Sequence, residues 1–146
     1  MAVPIEKTRG CLNFQLRKTT RQVSRYYDDA LRPLGLRIPQ FNILAVLAQR
    51  GTISVTILAR VLGLERSALA RNLKPIARAG LVRVAHGDDK RTRLANLTPA
   101  GRRKLRQALP RWNSAQDKLI ADLGSGQAAA LLDILSQINR VLGDVA

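Results

Sequence analysis

The stretch from Ser54 to Leu97 constrains the fold most, because its apolar residues recur first at helical and then at strand spacing. Ser54 is a good N-cap for SVTILARVLG, a short helix that turns Leu58, Ala59 and Leu62 inward, and Gly63 supplies the turn after it. The next helix, within ERSALARNLKPIARAG, places Leu69, Leu73 and Ile76 on one face and Ser67, Arg71, Lys74 and Arg78 on the opposite one. Two helices meeting across a tight glycine turn, the second with a basic outer stripe, make a helix-turn-helix. LVRVA and TRLANL then alternate around GDDKR, so residues 81–97 read as a β-hairpin with Asp88, Asp89, Lys90 and Arg91 at its tip. A hairpin directly after such a helix is a wing, and it carries a basic tip toward a minor groove or phosphate backbone.

The flanks read as helices. Residues 6–33 form one long helix, with Leu12, Leu16, Thr19, Val23, Tyr26 and Ala30 in a stripe, ending near Pro33 and Gly35. Pro39 opens a second helix through FNILAVLAQR, with Phe41, Leu44 and Leu47 at helical spacing, and Gly51 ends it. Thr98 and Pro99 start another helix over 100–123, which Pro110 should bend or divide. After the GSG break at 124–126, a last helix carries Leu131, Ile134 or Leu135, Ile138 and Leu142 near heptad spacing. The fold class is therefore mainly α with a small β-wing, and the Leu- and Ile-rich terminal helices need a surface to bury against.

Charge points to the partner. The chain of 146 residues carries a formal +15, and residues 60–111 hold 14 Lys and Arg against three acids, while 112–146 hold two against four. A polyanion suits that middle segment, and double-stranded DNA suits a winged helix. One Cys and one His leave no disulfide framework, no zinc site, no cofactor motif and no nucleophile–base–orienter set, so an enzyme is not expected. No apolar run approaches a membrane span and the N-terminus does not read as a signal peptide, which predicts a cytoplasmic protein.

Residues 58–101 strongly resemble the winged helix of MarR-family transcriptional regulators. The resemblance is carried by the D-x-R tip at Asp89–Arg91, LTPAG at 97–101 and AGLV at 79–82. It implies a winged helix-turn-helix lobe over 38–110 and dimerisation helices over 1–37 and 111–146. It also implies a homodimer that reads an inverted repeat, usually as a repressor released by a ligand or oxidant. Carried over by position, the recognition-helix contacts are Arg66, Ser67, Ala68, Arg71 and Lys74. Arg71 would fork onto a guanine edge and Ala68 would approach a thymine methyl. The wing contacts are Lys90 and Arg91, with Asp89 bracing Arg91. Pro75 departs from a regular helix, and a bend there would leave Lys74 and Arg78 less well placed than Ser67 and Arg71.

Cys11 falls in the first helix, where some members of that family keep an oxidant-sensing cysteine. Lys7 and Arg9 surround it with positive charge, while the alternative is a small residue buried beside Leu12 and Phe14. His86, the sole imidazole, reads as a solvent-facing strand residue. Tyr26, Tyr27, Phe14, Phe41 and Trp112 are candidates for lining a pocket for a small aromatic or phenolic effector, although helical spacing assigns most of them to the core. The other reading of the basic segment is a nonspecific architectural protein of duplex DNA.

Overall fold

A computed structural model describes residues 5–143, apart from the side chain of Lys7. Six helices and three strands follow one another as α1 (Leu12–Leu31), α2 (Ile38–Arg50), β1 (Ile53–Ser54), α3 (Val55–Leu62), α4 (Arg66–Arg78), β2 (Val82–His86), β3 (Arg93–Leu97), α5 (Pro99–Leu123) and α6 (Ser125–Leu142). The strands form one antiparallel sheet in the order β1-β3-β2. β1 is too short to show alternation in sequence, and it exists because Ile53 and Ser54 pair with Ala95 and Leu94 of the hairpin.

α2 packs centrally against α3 and α4. Its Ile43, Leu44 and Leu47 are completely buried together with Leu31, Leu58 and Leu69 from α1, α3 and α4. Ser54 Oγ accepts the Ile57 N–H at 3.1 Å and so caps α3, as its sequence position indicates. Gly63 closes the turn in the left-handed region at φ 62°, with its N–H on the Arg60 carbonyl and the Leu64 N–H on that of Ala59.

Two helix boundaries differ from expectation. The segment 6–33 is not one helix: a 3-10 turn spans Glu6–Gly10, Cys11 is extended at φ −65°, ψ 113°, and α1 starts only at Leu12. Its far end is set by Pro33, which has no N–H for the Asp29 carbonyl, so the chain tightens into a 3-10 turn at Arg32–Leu34. The last helix begins at Ser125, earlier than the GSG break suggests, and meets α5 at 102°.

Neither internal proline divides its helix. α4 runs through Pro75 and α5 through Pro110. Packing on both sides of each proline holds them: Leu73 and Ile76 are buried around the first, and Leu105, Ala108 and Ala115 around the second. No single helix among the described residues is long and apolar enough to cross a membrane.

The apolar stripe of α1 is only half used. Tyr27 and Leu31 are buried, but Leu12 and Phe14 are 70% and 62% exposed. α6 buries only Ala128 within the subunit and leaves Leu131, Leu132 and Ile134 exposed, with Leu135 and Ile138 half-buried.

Candidate nucleic-acid interface

α4 buries Leu69, Leu73 and Ile76 and turns Arg66, Ser67, Ala70, Arg71, Lys74 and Arg78 to solvent. Between this face, the start of α3 and the hairpin lies an open groove of about 1060 Å³. Arg66, Lys74 and Arg78 reach it from the helix, Arg91 and Arg93 from the wing, and Ser54 and Thr56 from the junction of β1 and α3, with no acidic residue among its lining. Five cations without a counter-charge make a surface for an anion larger than a single ion.

The hairpin tip is shaped by Asp89. Its carboxylate Oδ1 accepts the Arg91 backbone N–H at 3.0 Å, while its carbonyl accepts from Thr92 at 2.9 Å. The expected bracing of Arg91 by Asp89 therefore acts on the turn backbone, and the described ion pairs do not include one between their side chains. Lys90 and Arg91 are both exposed at the tip. His86 is exposed at the end of β2, opposite Arg93.

Most of the residues singled out in sequence come together here. Arg66, Ser67 and Lys74 line the groove with Arg91; Arg71 is exposed on the same helix but outside the lining. Ala68 is half-buried and outside the lining, and its carbonyl accepts from Asn72 Nδ2 at 2.9 Å. The small apolar residues that line the groove are Ala70, three after Ser67 and four before Lys74, and Ala77. That spacing was legible, as was Arg93 at the start of its alternating run. The contribution of Ser54 and Thr56 was not, because it depends on how α3 is packed against the wing.

Tyr26 lines an open cleft of about 730 Å³ with Ala30, Pro110, Arg111 and Ala115, while the other core aromatics pack on one another. Phe41 stacks on Trp112 with centroids 5.6 Å apart, Tyr27 stacks on the same indole at 6.4 Å, and Tyr26 meets Tyr27 edge-on. Tyr26 Oη donates to the Ala115 carbonyl and Tyr27 Oη to Gln116, which ties α1 to α5. Burial, and secondarily the neighbouring Tyr26, pushes the Tyr27 phenol above its ordinary value. Phe14 stands apart and exposed. Cys11 is exposed too, at the junction before α1, which corrects both its placement inside the helix and its burial beside Leu12 and Phe14. The Lys7 side chain expected near it lies outside the described residues.

A profile of the MarR family matches residues 34–92, the segment from the end of the first elbow to the wing tip. The transcriptional regulator MosR of M. tuberculosis, solved in complex with DNA, is 36% identical over 90% of this chain and 98% of its own, with a TM-score of 0.78. The HTH-type transcriptional regulator MgrA of Staphylococcus aureus is 27% identical over 136 residues, 92% of this chain and 86% of the relative. MarR of E. coli, as a cysteine variant complexed with operator DNA, shares the fold at 22% identity, with a TM-score of 0.80 over 94% of this chain and 99% of that one. The fold thus agrees with MosR and MarR over about nine-tenths of the chain, and the 36% identity to MosR covers 90% of it, so this chain belongs to the MarR family of winged-helix transcriptional regulators.

Proposed function

We propose that the protein is a transcriptional repressor that binds an inverted repeat in duplex DNA as a homodimer. The observation that carries this reading is the acid-free groove between α4 and the wing, with five cations converging on it. α4 enters the major groove, where Arg66, Ser67, Ala70, Arg71 and Lys74 reach base edges and phosphates, and the wing follows the adjacent backbone with Lys90 and Arg91. Residues 38–110 form this lobe, while 1–37 and 111–146 form the dimerisation helices. A two-fold dimer presents its recognition helices roughly 34 Å apart, one turn of DNA.

Selection of bound fragments from genomic DNA tests the reading. A repressor enriches a palindrome and prefers it to random duplex by at least ~1,000-fold, whereas equal binding to both identifies an architectural protein instead. The signal that releases DNA is a small aromatic or phenolic ligand or an oxidant acting at Cys11, which is exposed in the subunit.

A further inference from the structure

Three side chains hold the joint between α1 and α2: Gln40 Oε1 accepts the Arg37 N–H at 3.1 Å, Lys104 Nζ donates to the Leu34 carbonyl at 3.3 Å, and Asp28, which nothing in the sequence marks out, joins the two helices directly. After Leu31 the chain turns through Arg32–Leu34 and Gly35, the latter at φ 68°, before α2 begins. Arg37 occupies the N-cap position of α2, and a guanidinium cannot accept a hydrogen bond. The acceptor comes from the preceding helix instead. Asp28 Oδ1 takes the Ile38 N–H at 2.7 Å, and Oδ2 takes Arg37 Nε at 3.3 Å. The carboxylate also meets the positive end of the α2 dipole, and its side chain is only 18% exposed, so water competes poorly for it.

The position of this contact gives it a consequence beyond capping. α1 carries the exposed apolar stripe that a second subunit would cover, and α2 packs directly against the recognition helix α4. Whatever sets the angle between α1 and α2 therefore sets how α4 is held relative to the dimer axis. Both helices also pack on α5, so loss of the contact loosens the joint without dissolving it.

We infer that Asp28 is a positioning residue for DNA recognition: it latches α1 to the N-terminus of α2 and thereby selects the separation of half-sites that the dimer accepts. The inference rests on the DNA-binding reading above. It predicts a fault in spacing and not merely in affinity, because the side chains that touch DNA are unchanged.

The test starts from an inverted repeat selected out of a random duplex library by the wild-type protein, rebuilt with one base pair inserted or removed at its dyad. Asp28→Ala should remain folded yet lose at least about 10-fold in affinity on the selected spacing and much less on the altered ones, flattening the preference. Its Ile38 amide should exchange with solvent faster than in the wild type. Asp28→Asn keeps an acceptor for the Ile38 N–H but loses the charge facing Arg37, so it should fall between the two. An unchanged spacing preference in either variant, or an equal loss at every spacing, overturns the inference. Should Asp28→Ala fail to fold, Asp28→Asn decides by the same comparison. A wild-type protein that enriches no sequence overturns the proposed function, and this inference with it; variants that match a spacing-selective wild type overturn the inference alone.

Discussion

A methyl group at Gly101 would stand 2.0 Å from the Leu81 carbonyl oxygen and 2.6 Å from a Leu97 side-chain carbon. The crowding follows from Thr98, whose Oγ accepts the Gly101 N–H at 3.0 Å and donates toward the Gly80 and Leu81 carbonyls, drawing the first turn of α5 onto the end of α4. Gly101→Ala should therefore cost about 3 kcal/mol or more, read as a lower urea midpoint at unchanged slope; a midpoint near wild type would show that this corner yields easily. Tyr27 offers a different measurement at the same scale. The chain has two tyrosines, so in Tyr26→Phe the tyrosinate absorbance reports Tyr27 alone. Burial, the larger cause of its raised pKa, remains in that variant, and the midpoint should lie above the ordinary value of about 10. The sign for stability follows: the fold favours the neutral phenol, so its contribution is complete below about pH 10 and is lost as pH rises through the raised value. Cys11 is tested by peroxide, which should weaken DNA binding of the parent protein and spare Cys11→Ser. Equal resistance of the two would remove the thiol from signalling.

Among elements, α4 and the wing should fail in different ways when mutated. Arg71 projects from a helix held by Leu69, Leu73 and Ile76, which gives it the fixed geometry a guanine edge requires. Arg71→Ala should cost about 1 to 3 kcal/mol on the operator and relax preference at one base pair per half-site. Arg91 sits on a two-stranded tip and in the proposed complex would read charge and groove width, so Arg91→Ala should weaken operator and unrelated AT-rich duplex alike and lower the salt dependence. Asp89 separates a structural role from an electrostatic one. Because its carboxylate accepts the Arg91 N–H, Asp89→Ala should loosen the tip and weaken DNA binding even though a negative charge is removed. Asp89→Asn, which retains an acceptor, should recover much of the loss. Tighter binding by Asp89→Ala in a filter or polarisation assay would mean that Asp89 only repels phosphate.

At the scale of the whole molecule, the terminal helices leave a large apolar surface uncovered, and this supports the proposed dimer. Leu12 and Phe14 in α1 and Leu131, Leu132 and Ile134 in α6 are all exposed, while Leu135 and Ile138 are half-buried beside them. A second copy covers these faces in the proposed assembly, and stability is then shared between subunits. Ile138→Asp places an uncompensated charge in that contact and should give a monomeric or unfolded protein at concentrations where the parent is dimeric. Sedimentation checks both, and a parent protein that is monomeric at micromolar concentration removes the dimer from the proposal.

Local chemistry was readable in the sequence because the groups involved are neighbours along the chain. Ser54, Gly63 and Thr98 declare their caps and turns, and the change from helical to alternating spacing at Leu81 declares the wing. The inward faces of α3 and α4 follow from the same periodicity. What lay beyond the sequence depends on groups brought together from afar. β1 is a strand only because β3 passes beside it, and α4 and α5 continue through Pro75 and Pro110 because buried side chains on both sides keep the chain helical. Ala70 lines the groove and Ala68 does not for a related reason: one exposed helix face divides into a wing side and an inner side only once the wing is in place. Asp28 shows the same dependence most clearly. Its value as an acceptor arises when Gly35 folds α2 back toward α1, bringing an amide ten residues onward within 2.7 Å of its carboxylate.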